Sequence, residues 1–158
     1  MAAVNIIGRN EDEGGLTLTR RAVETALGLF TSYFDSTSRR SSYAAKKVLG
    51  DTKSILHMII PDANKAYVIE NEAALESLVA GLLLDEANPR RTQEAGDELQ
   101  ATCALALQNL ALSDVGKAAL RSHVGVMEGL RRVSSSESGS VGMTAEARQY
   151  ASGALFEL

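Results

Sequence analysis

The chain has 158 residues, 45% of them hydrophobic and 23% charged, and carries a net charge of −4 at pH 7. This composition excludes a disordered chain, and the acidic balance excludes a broad nucleic-acid-binding face. A single cysteine, Cys103, excludes an intramolecular disulfide, and only two prolines with 4% aromatic residues favour helices with a Leu, Ala, Val and Ile core.

Residues 1–15 form an N-terminal segment ending in the acidic turn Asn10-Glu11-Asp12-Glu13-Gly14-Gly15. Within it, Val4-Asn5-Ile6-Ile7 reads equally as a short strand or the tail of a preceding helix. From Thr17 a helix is predicted, because Ala22, Val23, Ala26, Leu27, Phe30 and Phe34 recur at helical spacing. Asp35–Ser42 is a polar loop, with Ser41 or Ser42 available as the N-cap of a helix over Tyr43–Ile60. Gly50 and Asp51 mark a weak point or bend in that helix. Pro61 ends it by steering Ile60 away from helical dihedrals.

Ala63–Asn71 and Ala74–Leu84 read as two further helices, the second turning Leu75, Leu78, Val79, Leu82 and Leu83 inward. Asp85–Asp97 is a solvated loop whose last residue is placed to cap the next helix. That helix, Leu99–Leu112, organises the chain. Its Leu99, Cys103, Ala106, Leu107 and Leu110 fall at i, i+4, i+7, i+8 and i+11, a single helical face, with small alanines between them. The spacing returns at Ala147, Ala151, Ala154, Leu155 and Leu158, and earlier at Val48, Thr52, Ile55, Leu56 and Ile59. Val115–Ser122 and Val124–Val133 repeat a shorter helix followed by a longer one. Ser134–Gly142 is a Ser/Gly loop, and Thr144 opens the last helix.

Overlaying Lys65–Leu75 on Gly116–Val126 gives a period of roughly fifty residues, somewhat above that of common helical repeats. The fold expected is all-α, an α-solenoid of about three three-helix units over residues 16–60, 63–112 and 115–158. The chain stops on the apolar face of its last helix, and solenoids cover such faces with polar terminal units. The expectation is therefore a segment of a longer protein, or self-association through the Leu155/Leu158 edge.

Ala104-Leu105-Ala106-Leu107-Gln108-Asn109-Leu110 is close to the third-helix pattern Ala-x-Ala-Leu-x-Asn-Leu of the armadillo repeat family, which the chain resembles over about two full units. Ala74-Leu75-Glu76-Ser77-Leu78-Val79 is similar to that family's second helix. The resemblance implies a protein-interaction scaffold that binds an extended peptide or protein partner along a groove lined by the third helices. Asn109 stands where the family's asparagine bonds the ligand backbone, a task suited to an amide that both donates and accepts. The partner-binding residues implied are Asn109, Leu105, Met58, Gln149 and Glu157, with Ser54 and Ala101 beside them. Met58 and Glu157 replace the family's asparagine in the flanking units, and Ser54, Leu105 and Gly153 stand where import adaptors carry Trp, so an importin-like grip on basic peptides is not expected. The alternative is a regulatory or oligomerising armadillo segment of a larger enzyme or signalling protein, for example one carrying a TIR-type domain.

No residue pattern indicates catalysis, a cofactor or a metal. His57 and His123 lack metal-ligand spacing, and Cys103 occupies a core position. The apolar runs are too short to span a membrane, and no signal-peptide order opens the chain, so a cytoplasmic protein is expected, with the nucleus as the alternative. Arg39-Arg40-Ser41-Ser42, Arg90-Arg91-Thr92 and Arg131-Arg132-Val133-Ser134 each set an arginine pair beside hydroxyl residues. Such pairs stabilise helix C-termini, and they also mark sites for a basic-directed kinase.

Overall fold

The computed structural model describes residues 18–34, 45–83, 94–136 and 143–158. They form eight α-helices: α1 (Arg20–Phe34), α2 (Ala45–Met58), α3 (Asp62–Ile69), α4 (Glu72–Leu82), α5 (Gly96–Ala111), α6 (Asp114–Ser122), α7 (Val124–Ser134) and α8 (Ala145–Glu157). No strand occurs among the described residues. The strand-or-helix question at Val4–Ile7 and the proposed caps Ser41 and Ser42 lie outside them.

Local chemistry explains most helix starts. Asn71, Ser113, His123 and Thr144 are the N-caps of α4, α6, α7 and α8, and each side chain accepts a backbone N–H one turn in. Pro61 precedes α3 with extended dihedrals, as its ring favours. Two sequence expectations need correction. Asp97 does not cap α5: the helix begins one residue earlier at Gly96, behind Ala95 in the left-handed conformation at φ 70°, and Asp97 lies in the first turn. There its carboxylate still favours the positive helix end. Gly50 and Asp51 do not interrupt α2, which runs through both.

Helices three apart in sequence pack together. α2 packs on α5 and α5 on α8; α1 packs on α4 and α4 on α7; α3 packs on α6. Consecutive helices of each group close the layers, with α4 against α5 and α7 against α8. The result is an all-α, repeat-like stack. One continuous core runs through it, with Phe30, Leu27, Ile55, Ile59, Leu78, Leu82, Leu99, Leu107, Leu110, Leu120 and Leu130 all fully buried. Burying each such side chain stabilises the fold by about 1.5–3 kcal/mol before ordering costs are counted.

α5 is the centre of this arrangement. The predicted face of Leu99, Cys103, Ala106, Leu107 and Leu110 is fully buried. So are Gln100 and Ala104, because α2, α4 and α8 surround the helix on several sides. The alanines allow this close approach.

Two buried amides fasten helices together. Asn64 of α3 donates from Nδ2 to the Met58 carbonyl at 2.8 Å and accepts the Leu18 N–H at 3.1 Å, joining the end of α2 to the entry of α1. Gln100 of α5 donates from Nε2 to the Leu82 carbonyl at 3.0 Å and accepts the Thr144 N–H at 3.1 Å, joining the end of α4 to the entry of α8. Both side chains are fully buried, so each replaces lost hydration with protein partners. At the α5–α6 corner only glycine fits. A Cβ on Gly116 would overlap the Leu110 carbonyl, which also receives the Ser113 hydroxyl.

Candidate functional site

The residues assigned to the groove sit on α2, α5 and α8, the three helices that lie side by side. Their placements differ. Gln149 and Ser54 are exposed, and Leu105 and Asn109 are partly buried in the second half of α5. Met58 is only 7% exposed and belongs to the core, and Ala101 is buried as well, so neither offers a ligand much surface.

Asn109 donates from Nδ2 to the Leu105 carbonyl of its own helix at 3.2 Å. Its Oδ1 accepts no hydrogen bond among the described residues, so the amide retains an acceptor for an incoming N–H. Glu157 points elsewhere. Its carboxylate pairs with Lys117 of α6 at 3.2 Å, and both side chains are partly buried. Arg121 of α6 also donates to the Leu158 carbonyl. These two links tie the last turn of α8 to α6. Leu155 and Leu158, expected as an open edge, are partly buried against the core.

Helices α5 and α8 approach closely at Gly153, where an added Cβ would meet the Gln108 side-chain amide. Three residues further along α8 stands Phe156 at 88% exposure, the most exposed large hydrophobic residue among those described. Sequence reasoning passed over it. The signal was present: Phe156 follows Leu155 directly and falls off the face defined by Ala147, Ala151, Ala154, Leu155 and Leu158.

Ion pairs join neighbouring helices at the surface. Lys53 of α2 pairs with Glu98 of α5, and Lys46, Gly50, Lys53, Glu94 and Glu98 line a shallow cleft of about 340 Å³ there. Between α1 and the end of α3, Arg20 bridges Glu70 at 2.8 Å and lies 5.0 Å from the Tyr67 ring centroid. Both sites are occupied by their own countercharges.

Cys103 is fully buried, and burial pushes its thiol up to about 12, with a hydrogen bond to the Thr52 side chain pulling more weakly the other way. A thiol so placed is neutral at physiological pH, which is the wrong state for a nucleophile. His123 is committed to its helix, with Nδ1 accepting the Val126 N–H at 3.2 Å. His57 is exposed on α2. Among the described residues no group of three or more His, Cys, Asp or Glu side chains is placed to hold a metal ion, and no helix is long and apolar enough to cross a membrane. The arginine pairs at 39–40 and 90–91 lie outside the described residues; Arg131 and Arg132 end α7.

No family model, curated protein or solved structure matches the chain.

Proposed function

We propose that the chain is a short, right-handed, armadillo-like solenoid that binds an extended segment of a protein partner across α2, α5 and α8. The observation that supports this reading is the step-of-three packing, in which α2 lies against α5 and α5 against α8, the order that third helices of successive units would take. Phe156 and Asn109 give such a surface its two contact chemistries. An aromatic ring standing in water gains from being covered, and aromatic side chains dominate the energetics of many interfaces. The open Oδ1 of Asn109 suits a backbone N–H of an extended peptide. Gln149 and Ser54 extend the same polar lining, and no covalent chemistry is involved.

A peptide-display screen against the full chain tests the reading. Ligands that are selected bind Phe156→Ser and Asn109→Ala variants at least tenfold more weakly than the wild type. Phe156 is exposed, so its replacement leaves the unfolding midpoint nearly unchanged. A selected ligand indifferent to both substitutions, or no ligand at all, overturns the proposal.

A further inference from the structure

The turn that ends α7 carries Arg131-Arg132-Val133-Ser134-Ser135-Ser136, three consecutive hydroxyl residues behind an arginine pair. Sequence register alone points to Ser134. The structure separates the three. The Ser134 hydroxyl is held by the Arg131 carbonyl at 3.1 Å and the residue is partly buried. Ser136 is also partly buried, its hydroxyl donating to the Val133 carbonyl at 2.7 Å and its own carbonyl accepting from Arg148 of α8 at 3.3 Å. Ser135 is exposed, and its hydroxyl makes only a long 3.5 Å contact to the Arg132 carbonyl.

Ser135 also continues the helical backbone, at φ −86° and ψ −5°. Arg132 and Arg131 therefore stand three and four residues before it, the two spacings that bring side chains together on a helix surface. Both arginines are exposed and make no ion pair among the described residues; Glu128, one turn earlier, bonds neither. Moving Ser134 into a kinase cleft would first require withdrawing its neighbour Val133, which is fully buried. Ser135 lies one residue further from that anchor.

We propose that Ser135 is a phosphorylation site, modified by a protein kinase that reads an arginine three residues before its acceptor. In the reaction Ser135 Oγ attacks the γ-phosphorus of a nucleoside triphosphate. The Oγ–P bond forms as the bond to the β,γ-bridging oxygen breaks; the nucleoside diphosphate leaves, and the hydroxyl proton passes to solvent. The phosphate then stands beside the Arg131 and Arg132 guanidinium groups, which supply charge-assisted hydrogen bonds. These oppose the repulsion from the carbonyl end of α7.

The test treats the folded full chain with such a kinase and magnesium ATP, then maps the phosphate. Ser135 takes up at least ten times more phosphate than Ser134 or Ser136, and Ser135→Ala or Arg132→Ala lowers total incorporation at least tenfold. A synthetic peptide spanning 128–142, freed from the Val133 anchor, loses the preference and is labelled at Ser134 as well. A ³¹P titration of the modified chain gives a midpoint below the value of about 6 usual for phosphoserine, and the midpoint rises in an Arg131→Ala, Arg132→Ala double variant. Labelling that falls on Ser134, on Ser136 or on neither, an unshifted midpoint, or the same site preference in chain and peptide would overturn the assignment.

Discussion

Gly116 and Gly153 both sit where helices crowd, yet they differ in what a methyl group would meet. At Gly116 the obstacle is the Leu110 backbone carbonyl, which cannot move without opening the α5–α6 corner. Gly116→Ala is expected to destabilise the chain by about 3 kcal/mol, read as a shift in urea midpoint. At Gly153 the obstacle is the far end of the Gln108 side chain, which can rotate away, and alanine favours the helix. Gly153→Ala should therefore change stability by less than about 1 kcal/mol; equal losses at the two positions would refute the distinction. Cys103 adds a pH dependence. Its thiol holds its proton up to about 12 when folded, against 9.0 for an unshifted thiol, so unfolding between those values releases a proton. The stability it contributes is thus full below pH 9 and is lost as pH rises toward 12. Urea titrations of wild type and Cys103→Ala should converge over that range; parallel curves would contradict the burial argument.

Among the elements, α5 shows what the pattern could and could not convey. Its core face was legible because Leu99, Cys103, Ala106, Leu107 and Leu110 keep one helical period. Its burial on further sides was not, because Gln100 and Thr102 look like surface residues until a neighbour covers them. Asn64 was hidden for the same reason: a polar side chain in an amphipathic pattern reads as solvent-facing, and only the tertiary fold supplies its partners. The start of α5 was misread because Asp97 has the chemistry of a cap while Ala95 has no feature announcing a left-handed turn. Alanine in that conformation costs about 1 kcal/mol relative to glycine. Ala95→Gly should accordingly raise stability by up to about 1 kcal/mol, unlike glycine placed inside a helix. A loss of stability would mean that the Ala95 methyl, partly buried against the core, contributes more than the strain removes.

At the scale of the whole molecule, the three-helix period was readable from the overlay of Lys65–Leu75 on Gly116–Val126. The arrangement of layers required the contacts themselves. The groove assignment was less transferable. Met58 matches Asn109 in register but is drawn into the core, while Glu157 turns toward Lys117 of α6. Phe156 shows in the sequence only as a single departure from the apolar face, which a reading built on periodicity passes over.

Stacks in which each unit touches only its neighbours tend to breathe from their ends. Here the amide N–H groups of Leu18 and Thr144, at the entries to the outermost described helices α1 and α8, are both gripped from the middle of the stack, by Asn64 and Gln100. Fraying at either entry must therefore break a partly buried bond to a fully buried amide before the helix can peel away. The Leu18 and Thr144 amides should exchange with deuterium on the timescale of global unfolding, against the rapid exchange usual at chain peripheries. Gln100→Ala should free Thr144 and α8 while leaving Leu18 protected, turning one cooperative transition into an end that melts first. Fast exchange at both amides in the wild type would show that the latches do not hold.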